Sequence, residues 1–266
     1  MSIVKNDEII KTIEDWKRLA PPKSEKQWVD GRSAKETARA WLQGGVDTLP
    51  DDIDTLPDDI DILLSGHRDF GPVIRWTAEP EAKLRFDRFR GEPRNSDLAV
   101  HAEDSYGKFL IAVEAKADEP FAEKVSDALS NALERYATNT ASKGIVRIQQ
   151  LARALFTERE SGQSALKDLR YQLLTASAGA LCEAERHGYT RSLLLIQEFV
   201  TDKTLNRKHD RNSKDLARFL ARLSNGEYSS LTSGEIVGPM RVPGTPLVSA
   251  SVDFYVGKLT RNIRAD

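Results

Sequence analysis

The sequence predicts an α/β fold: a mixed sheet that contains a three-stranded antiparallel meander and is flanked by helices. Two observations carry this prediction. Between residues 72 and 116, apolar and polar side chains alternate in runs that short turns separate, which is the pattern of antiparallel strands. Before and after that segment, apolar residues recur every three or four positions, which is the pattern of amphipathic helices.

Length, charge and cysteine content narrow the class of protein. The chain has 266 residues, a formal net charge of −2 and one cysteine, Cys182, so no intramolecular disulfide can form. No apolar run approaches the ~20 residues that span a bilayer, and the N-terminus lacks the basic stretch and apolar core of a signal peptide. We therefore expect a cytoplasmic protein with no membrane partner. The near-neutral charge is not typical of a dedicated nucleic-acid-binding module, although a nuclease can combine a basic surface with acidic metal ligands.

No linker rich in Gly, Ser or Pro divides the chain. We therefore expect one domain over residues 1–266, with a core at about 33–200 and a C-terminal extension at about 201–266.

Two helices are predicted near the N-terminus. Apolar residues at helical spacing predict the first over residues 7–20, and Pro21 and its neighbour end it. Ser33 followed by Glu36 has the form of a capping box, which opens a second helix that runs to Gln43.

A duplicated heptad follows the second helix. Residues 47–53 repeat at once as residues 54–60, and two copies are too few to build a solenoid. We interpret one copy as an insertion and expect residues 47–60 to form an exposed, mobile loop. The second copy leads through Pro57 into a short helix that ends near Ser65.

The spacing of apolar residues predicts the strands, where they alternate, and the later helices, where they recur every three or four positions. The meander comprises strands at 83–89, 97–101 and 108–116, with a short candidate at 73–76 before them. Amphipathic helices follow at 120–137, 145–157 and 163–187, then a buried central strand at 191–200, a basic helix at 211–223 and a last strand at 252–257.

Three charged residues at the ends of two of these strands indicate a chemical site. Side chains alternate between the faces of a strand, so Glu114 and Lys116 point the same way. If the two strands pair as a hairpin, Asp97 lies across from Glu114. Two carboxylates would then meet an ammonium group at one edge of the sheet. Hard oxygen ligands suit Mg²⁺, and a lysine beside the metal can help to deprotonate water or offset charge on a phosphate.

This pattern resembles the PD-(D/E)XK phosphodiesterase superfamily, which has the restriction-endonuclease-like fold. The family core runs helix, three-stranded meander, helix, strand, and the elements here follow that order from about residue 33 to residue 200. The resemblance implies that Asp97, Glu114 and the backbone carbonyl of Ala115 bind Mg²⁺ or Mn²⁺, that Lys116 is the catalytic lysine, and that Glu36 adds a carboxylate. Ser96 stands where the family pattern has proline.

Each of these assignments has a plainer alternative. Glu-x-Lys on a strand is usually a solvated ion pair, but the apolar run before Glu114 makes an unpaired charge there costly. Capping alone explains Glu36. His101 shares the face of Asp97, where it is either a ligand or base of the site or a polar strand end.

A second group of residues is expected to contact nucleic acid. Basic and amide side chains flank the meander, and Gln172 on a following helix is placed to face the site; the predicted set is Arg88, Arg90, Arg94, Asn95 and Gln172. The alternative for the arginines is ordinary surface charge. The segment 203–222 carries seven Lys or Arg against two Asp and is either a nucleic-acid surface or a solvated helix.

Two functions remain open on the sequence alone. The first is metal-dependent hydrolysis of phosphodiester bonds in nucleic acid, with DNA favoured over RNA. The second is a catalytically inactive member of the same fold that binds nucleic acid or protein. A homodimer is compatible with either. Motifs for nucleotide-binding loops, paired cysteines and serine hydrolases are absent, and the four histidines are scattered along the sequence, which argues against a zinc site.

Overall fold

The computed structural model describes residues 2–42, 55–90, 93–248 and 250–263. The strands in these ranges are β1 (Ser2–Lys5), β2 (Glu8–Ile9), β3 (Arg75–Leu84), β4 (Arg94–Asp104), β5 (Gly107–Lys116), β6 (Arg191–Val200), β7 (Glu235–Met240) and β8 (Asp253–Asn262). The α-helices are α1 (Ile13–Leu19), α2 (Ser33–Trp41), α3 (Asp58–Ser65), α4 (Val125–Thr138), α5 (Gly144–Leu155), α6 (Tyr171–Arg186) and α7 (Asn206–Leu223), with short 3₁₀ turns at Glu25–Gln27 and Leu166–Asp168.

The eight strands form one mixed sheet in the order β2-β1-β3-β4-β5-β6-β8-β7. Strands β3, β4 and β5 pair antiparallel, which confirms the predicted meander. Strand β6 runs parallel to β5 in the same sheet, as predicted for residues 191–200. Residues beyond 200 also build the sheet, because β8 pairs with β6 over its whole length.

Helices cover both faces of the sheet. Two apolar clusters lie on opposite faces: one packs α4, α5, α6 and α7 against the sheet, and the other packs α1, α2 and α3. Strand β6 is buried on both sides, which is why its centre, residues 193–196, is continuously apolar rather than alternating. Among the helices of the described residues, none combines the length and apolar composition that crossing a membrane requires.

The first strand of the meander lies earlier than predicted. Strand β3 ends at Leu84, where its pairing with β4 stops, and not at residue 89. Leu84 and Phe86 are both buried in the same apolar cluster, so the alternation at 83–89 reflects burial without strand pairing beyond Leu84.

The N-terminal elements differ from the expectation in two places. Residues 8–9 form β2, and the predicted helix at 7–20 begins only at Ile13, because Thr12 and Asp15 form a capping box there. The capping box expected at the start of α2 does not form. Residue 32 is the N-cap of α2, and the hydroxyl of Ser33 donates instead to Glu119.

Helices α4 and α6 begin later than predicted for a shared reason. The residues just before each helix form an antiparallel bridge, Lys124 with Arg170. The N–H of Val125 donates to the carbonyl of Leu169 at 2.9 Å, so the chain is extended where the predicted helices at 120–137 and 163–187 would have begun.

The second copy of the heptad packs into the core. Leu56 is 1% exposed and Ile60 is fully buried, and Pro57 precedes α3, which ends at Ser65 as predicted. The expectation of an exposed loop is therefore wrong for the second copy, because its two apolar side chains fill the core. The first copy, residues 47–53, lies outside the described residues.

Deleting residues 47–53 is expected to change the free energy of unfolding by less than about 1 kcal/mol, the scale for shortening a loop. The two copies are identical, so the shortened chain still supplies the leucine and isoleucine that fill the places of Leu56 and Ile60. As a contrast, Leu56→Ala in the full chain should cost about 2–5 kcal/mol, as buried leucines do. Urea denaturation measures both. A large loss on deletion would show that both copies pack.

Candidate active site

A cavity of about 530 Å³ opens where the meander meets the first turn of α6. Strands β3, β4 and β5 each contribute a carboxylate to its wall, and α6 contributes an amide. These residues are Glu81, Asp97, Glu114 and Gln172, and Lys116 and Ala115 also line the cavity.

The pairing of β4 with β5 brings Asp97 to Glu114. Leu98 pairs with Val113, so the next position along the ladder sets Asp97 beside Glu114. The Oδ2 atom of Asp97 accepts a hydrogen bond from the N–H of Ala115 at 2.7 Å. The structure therefore brings together the three residues that the sequence singled out at these strand ends.

The carboxylate of Glu114 is buried and bound by three side chains. The Nζ atom of Lys116 lies 2.5 Å from Oε1, and the Nε2 atom of Gln172 donates to the same oxygen at 2.5 Å. The guanidinium of Arg94 binds Oε2. Arg94 and Gln172, predicted as contacts for nucleic acid, are in this structure partners of the central carboxylate.

Charge pairing outweighs burial at Glu114 and Lys116. Burial alone would raise the pKa of Glu114, but the positive charges of Lys116 and Arg94 lower that pKa below its ordinary value. Burial would lower the pKa of Lys116, and the carboxylates of Glu114 and Asp97 raise it instead. Both groups are therefore charged at neutral pH.

Asp97 is in the opposite situation. Burial, followed by repulsion from Glu114, raises the pKa of Asp97 from 3.8 to about 7. The attraction of Lys116 and the hydrogen bond from Ala115 reduce this shift without cancelling it. Asp97 is therefore only partly ionised at neutral pH, because ionising it in this buried position beside Glu114 costs free energy.

A further carboxylate, Glu81, was missed by the sequence analysis. Pro80 pairs with Leu98 and Ala82 with Ser96, so Glu81 lies across from Asp97 in the sheet. Its backbone is left-handed, with φ of 48°. The local alternation gave no signal, because the strand reverses faces here: Ala78 packs in one apolar cluster and Ala82 in the other. Burial raises the pKa of Glu81, against a hydrogen bond from Asn95 at 3.1 Å.

Glu36 does not reach the cavity. Its Oε1 atom accepts a hydrogen bond from the N–H of Gly31 at 2.7 Å and pairs with Arg39 at 2.9 Å. The buried carboxylate thus ties the start of α2 to the preceding loop. It is absent from the residues that line the cavity, so we do not retain it among the metal ligands.

Of the remaining predicted residues, Asn95 lines the same cavity as Glu114, and the others lie outside that cavity. Arg88 and Arg90 are exposed and line a neighbouring basic cavity, while Asn95 donates to Glu81. His101 lies four residues further along β4 than Asp97, and its ring contacts Tyr189. The basic segment 203–222 is divided between exposed cations and cations that contact the rest of the protein. Lys208 binds the carboxylate of Asp118, and Arg211 donates to the backbone carbonyl of the same residue. Arg222 donates to the backbone carbonyl of Thr157.

Residues 9–262 match a family described as a domain of unknown function (DUF6946). The chain belongs to the DUF6946 family. No curated protein matches it, and neither does any solved structure.

The donors in the cavity of this DUF6946 protein fit Mg²⁺ or Mn²⁺. Asp97 and Glu114 offer carboxylate oxygens, the ligand type that hard divalent cations prefer, and Ala115 lies between Glu114 and Lys116 at the cavity wall. Burial, followed by repulsion from Glu114, raises the pKa of Asp97, and a cation bound beside this carboxylate would offset both effects. Glu114 already holds two protein cations, so a metal would share or displace them.

Asp97→Asn is expected to leave the metal-free protein as stable as the parent or slightly more stable. The pKa of Asp97 is higher in the folded chain than its ordinary value of 3.8, so the folded state holds this proton more tightly than the unfolded state does. Ionised Asp97 therefore lowers the free energy of unfolding progressively as pH rises from about 4 to about 7, and the loss is complete above that range.

The advantage of Asp97→Asn over the parent should accordingly be larger at pH 8 than at pH 5. Urea denaturation in EDTA at both pH values measures it. A strongly destabilised Asp97→Asn protein, with no such pH dependence, would show that Asp97 is a structural partner instead of a strained carboxylate.

Proposed function

We propose that this DUF6946 protein is a metal-dependent nuclease that hydrolyses phosphodiester bonds, in DNA rather than RNA. The observation that carries the proposal is the convergence of Asp97, Glu114 and Lys116 at one cavity, on adjacent paired strands. This is the arrangement that the resemblance to the PD-(D/E)XK phosphodiesterases implies. Its two carboxylates lie side by side, and its lysine is held in place by a 2.5 Å contact.

Each side chain has a distinct role in this proposal. Asp97 and Glu114 would hold the metal, together with the carbonyl of Ala115. When bound, the metal supplies an activated water and a positive charge beside the phosphate. Lys116 offers an ammonium group at the same wall, where it can orient water or offset charge on the phosphate. Gln172 and Arg94 position the carboxylate of Glu114.

A neighbouring basic cavity supports nucleic acid as the substrate. It has a volume of about 910 Å³, and its lining holds five cationic side chains and no acidic ones among the described residues: Arg88, Arg90, Arg135, Lys143 and Arg147. Arg147 lines both cavities, so the basic surface adjoins the proposed active site. Arg147 also pairs with the buried Asp87 at 2.5 Å. Cationic side chains beside a metal site are suited to the phosphate backbone on either side of a scissile bond.

The charge network around Glu114 favours a second candidate function. Both oxygens of Glu114 already have cationic partners, which is also how a structural ion-pair network is satisfied. A protein of this kind would keep the basic cavity and bind nucleic acid without cutting it.

Cleavage assays separate the two functions. The purified protein is incubated with supercoiled, linear and single-stranded DNA and with RNA, in Mg²⁺, Mn²⁺ or EDTA. We expect metal-dependent cleavage of DNA that EDTA abolishes. Binding of DNA without cleavage in either metal would favour the binding module, and neither binding nor cleavage would refute both.

Reversing two charges in the basic cavity is expected to weaken DNA binding. Arg88→Glu with Arg90→Glu should lower the affinity, and each lost phosphate contact should reduce the slope of log affinity against log salt by about 1. Fluorescence anisotropy with EDTA present measures binding without cleavage. Arg241→Glu is the matched control, because Arg241 is 84% exposed and lies outside both cavities. Equal losses in the two proteins would exclude the basic cavity as the binding surface.

A further inference from the structure

Two histidines and a glutamate meet at the opposite end of the elements that carry the candidate active site. His101 lies on β4, Glu183 on α6, and His187 directly after α6. One ligand atom from each lies within 4.8 Å of the other two. His101 is four residues from Asp97 along β4, a separation of about 13 Å at about 3.3 Å per residue. The group is therefore distinct from the carboxylate cavity.

The three side chains contact one another as well as other residues of the protein. The Nε2 atom of His187 lies 3.0 Å from Oε1 of Glu183, one helical turn earlier. The rings of His101 and His187 have centroids 4.5 Å apart. Arg186 binds the other oxygen of Glu183. Two of the four histidines, His101 and His187, thus meet in space although they are far apart in sequence, so the scattered positions alone do not argue against a zinc site.

Tyr189 orients the ring of His101. Its hydroxyl lies 3.2 Å from Nδ1 of His101. When Nδ1 carries the proton and donates it to the tyrosine oxygen, the lone pair of Nε2 is free to bind a metal. Burial, followed by the neighbouring His187, lowers the pKa of His101, which favours the neutral ring that metals require.

We propose that His101, Glu183 and His187 form a binding site for a divalent transition-metal ion of the zinc type. Two imidazoles and one carboxylate are a common protein ligand set for Zn²⁺, and imidazole distinguishes this site from the all-oxygen site at Asp97. The side chain of His187 is 43% exposed, so solvent can reach the site and supply a fourth ligand.

Such an ion would join the C-terminal end of α6 to β4. The first turn of α6 holds Gln172 against Glu114, and β4 holds Asp97, so both elements also bear the candidate active site. A metal that binds only the folded protein stabilises it by mass action. We therefore infer a structural role for this ion, independent of the proposed nuclease activity.

The test uses tag-free full-length protein and metal alone. Zn²⁺ affinity is measured by titration calorimetry, Co²⁺ binding by its visible absorption, and stability by thermal melts with and without Zn²⁺. The variants are His187→Gln and Glu183→Gln, with Glu185→Gln as the matched control on an exposed position of the same helix. Asp97→Asn removes a donor from the other site. Circular dichroism verifies that each variant folds.

The parent and Glu185→Gln should bind Zn²⁺ alike and melt at a higher temperature with Zn²⁺, and Asp97→Asn should keep the Co²⁺ spectrum of the parent. His187→Gln and Glu183→Gln should lose at least about 10-fold in affinity, and Tyr189→Phe about 10-fold or more through the orientation of His101. Absence of Zn²⁺ binding in the parent would overturn the proposal. So would affinity in His187→Gln equal to that of Glu185→Gln, or loss of the Co²⁺ spectrum in Asp97→Asn alone.

Discussion

Lys116→Met is expected to lower metal-dependent DNA cleavage by about 10²–10³-fold, the effect of removing one group that stabilises charge in a transition state. Methionine keeps much of the length of the side chain and removes the ammonium group beside Glu114. Asp97 and Glu114 remain, so Mg²⁺ should still raise the melting temperature of this variant. Single-turnover cleavage and thermal melts, each with and without metal, measure the two effects separately.

Lys108→Met provides the matched control for this prediction. Lys108 lies on the same strand, β5, but is exposed and outside the cavity. Its replacement should leave the cleavage rate unchanged. If Lys116→Met cleaves DNA as fast as Lys108→Met, Lys116 has no part in the reaction, whereas loss of metal binding in Lys116→Met would assign it to the structure of the site.

Glu114→Gln is expected to lower the free energy of unfolding of the metal-free protein by about 3–5 kcal/mol, the usual cost of removing one partner from a buried ion pair. The side chains of Arg94 and Lys116 are 10% and 6% exposed, so both cations would lose a counter-charge that solvent cannot replace. Asp97→Asn, at the neighbouring position on β4, should raise the free energy of unfolding or leave it unchanged, because the folded protein ionises Asp97 only at a cost in free energy.

Urea denaturation in EDTA compares the two variants directly. Glu79→Gln is the control, because Glu79 is 50% exposed and its ion pair with Lys5 should contribute at most about 1 kcal/mol. A loss in Glu114→Gln no larger than in Glu79→Gln would mean that the cations around Glu114 are solvated. In that case the ion pair with Glu114 would not hold Lys116 in a fixed position in the site.

Glu114 and Asp97 differ in how well the protein itself stabilises their negative charge before a metal binds. Glu114 has cationic partners within the protein, so its charge is balanced before any metal binds. Asp97 has a backbone N–H and a nearby lysine, but burial and the neighbouring Glu114 still raise its pKa, so its ionised form is held at a cost. Mg²⁺ bound in this cavity would offset that cost, so Mg²⁺ should stabilise the parent and not Asp97→Asn.

Local sequence determined the elements that carry the candidate site. The alternation at 97–101, the apolar strand at 108–116 and the continuous apolar run at 191–200 predicted β4, β5 and β6, because burial on one or both faces imposes those patterns directly. The short turn between β4 and β5 sets the register of their hairpin. That register places Asp97 beside Glu114.

Only the tertiary structure decided which other side chains join or leave the site. Ser33 gives up its capping role for Glu119, which is 86 residues away, and Glu36 turns to Gly31. Glu81 enters the row of carboxylates because β3 reverses its faces, and His101 meets His187 because α6 packs on β4. These contacts join residues that are distant in the chain, and local periodicity carries no information on which distant partner a polar side chain will find.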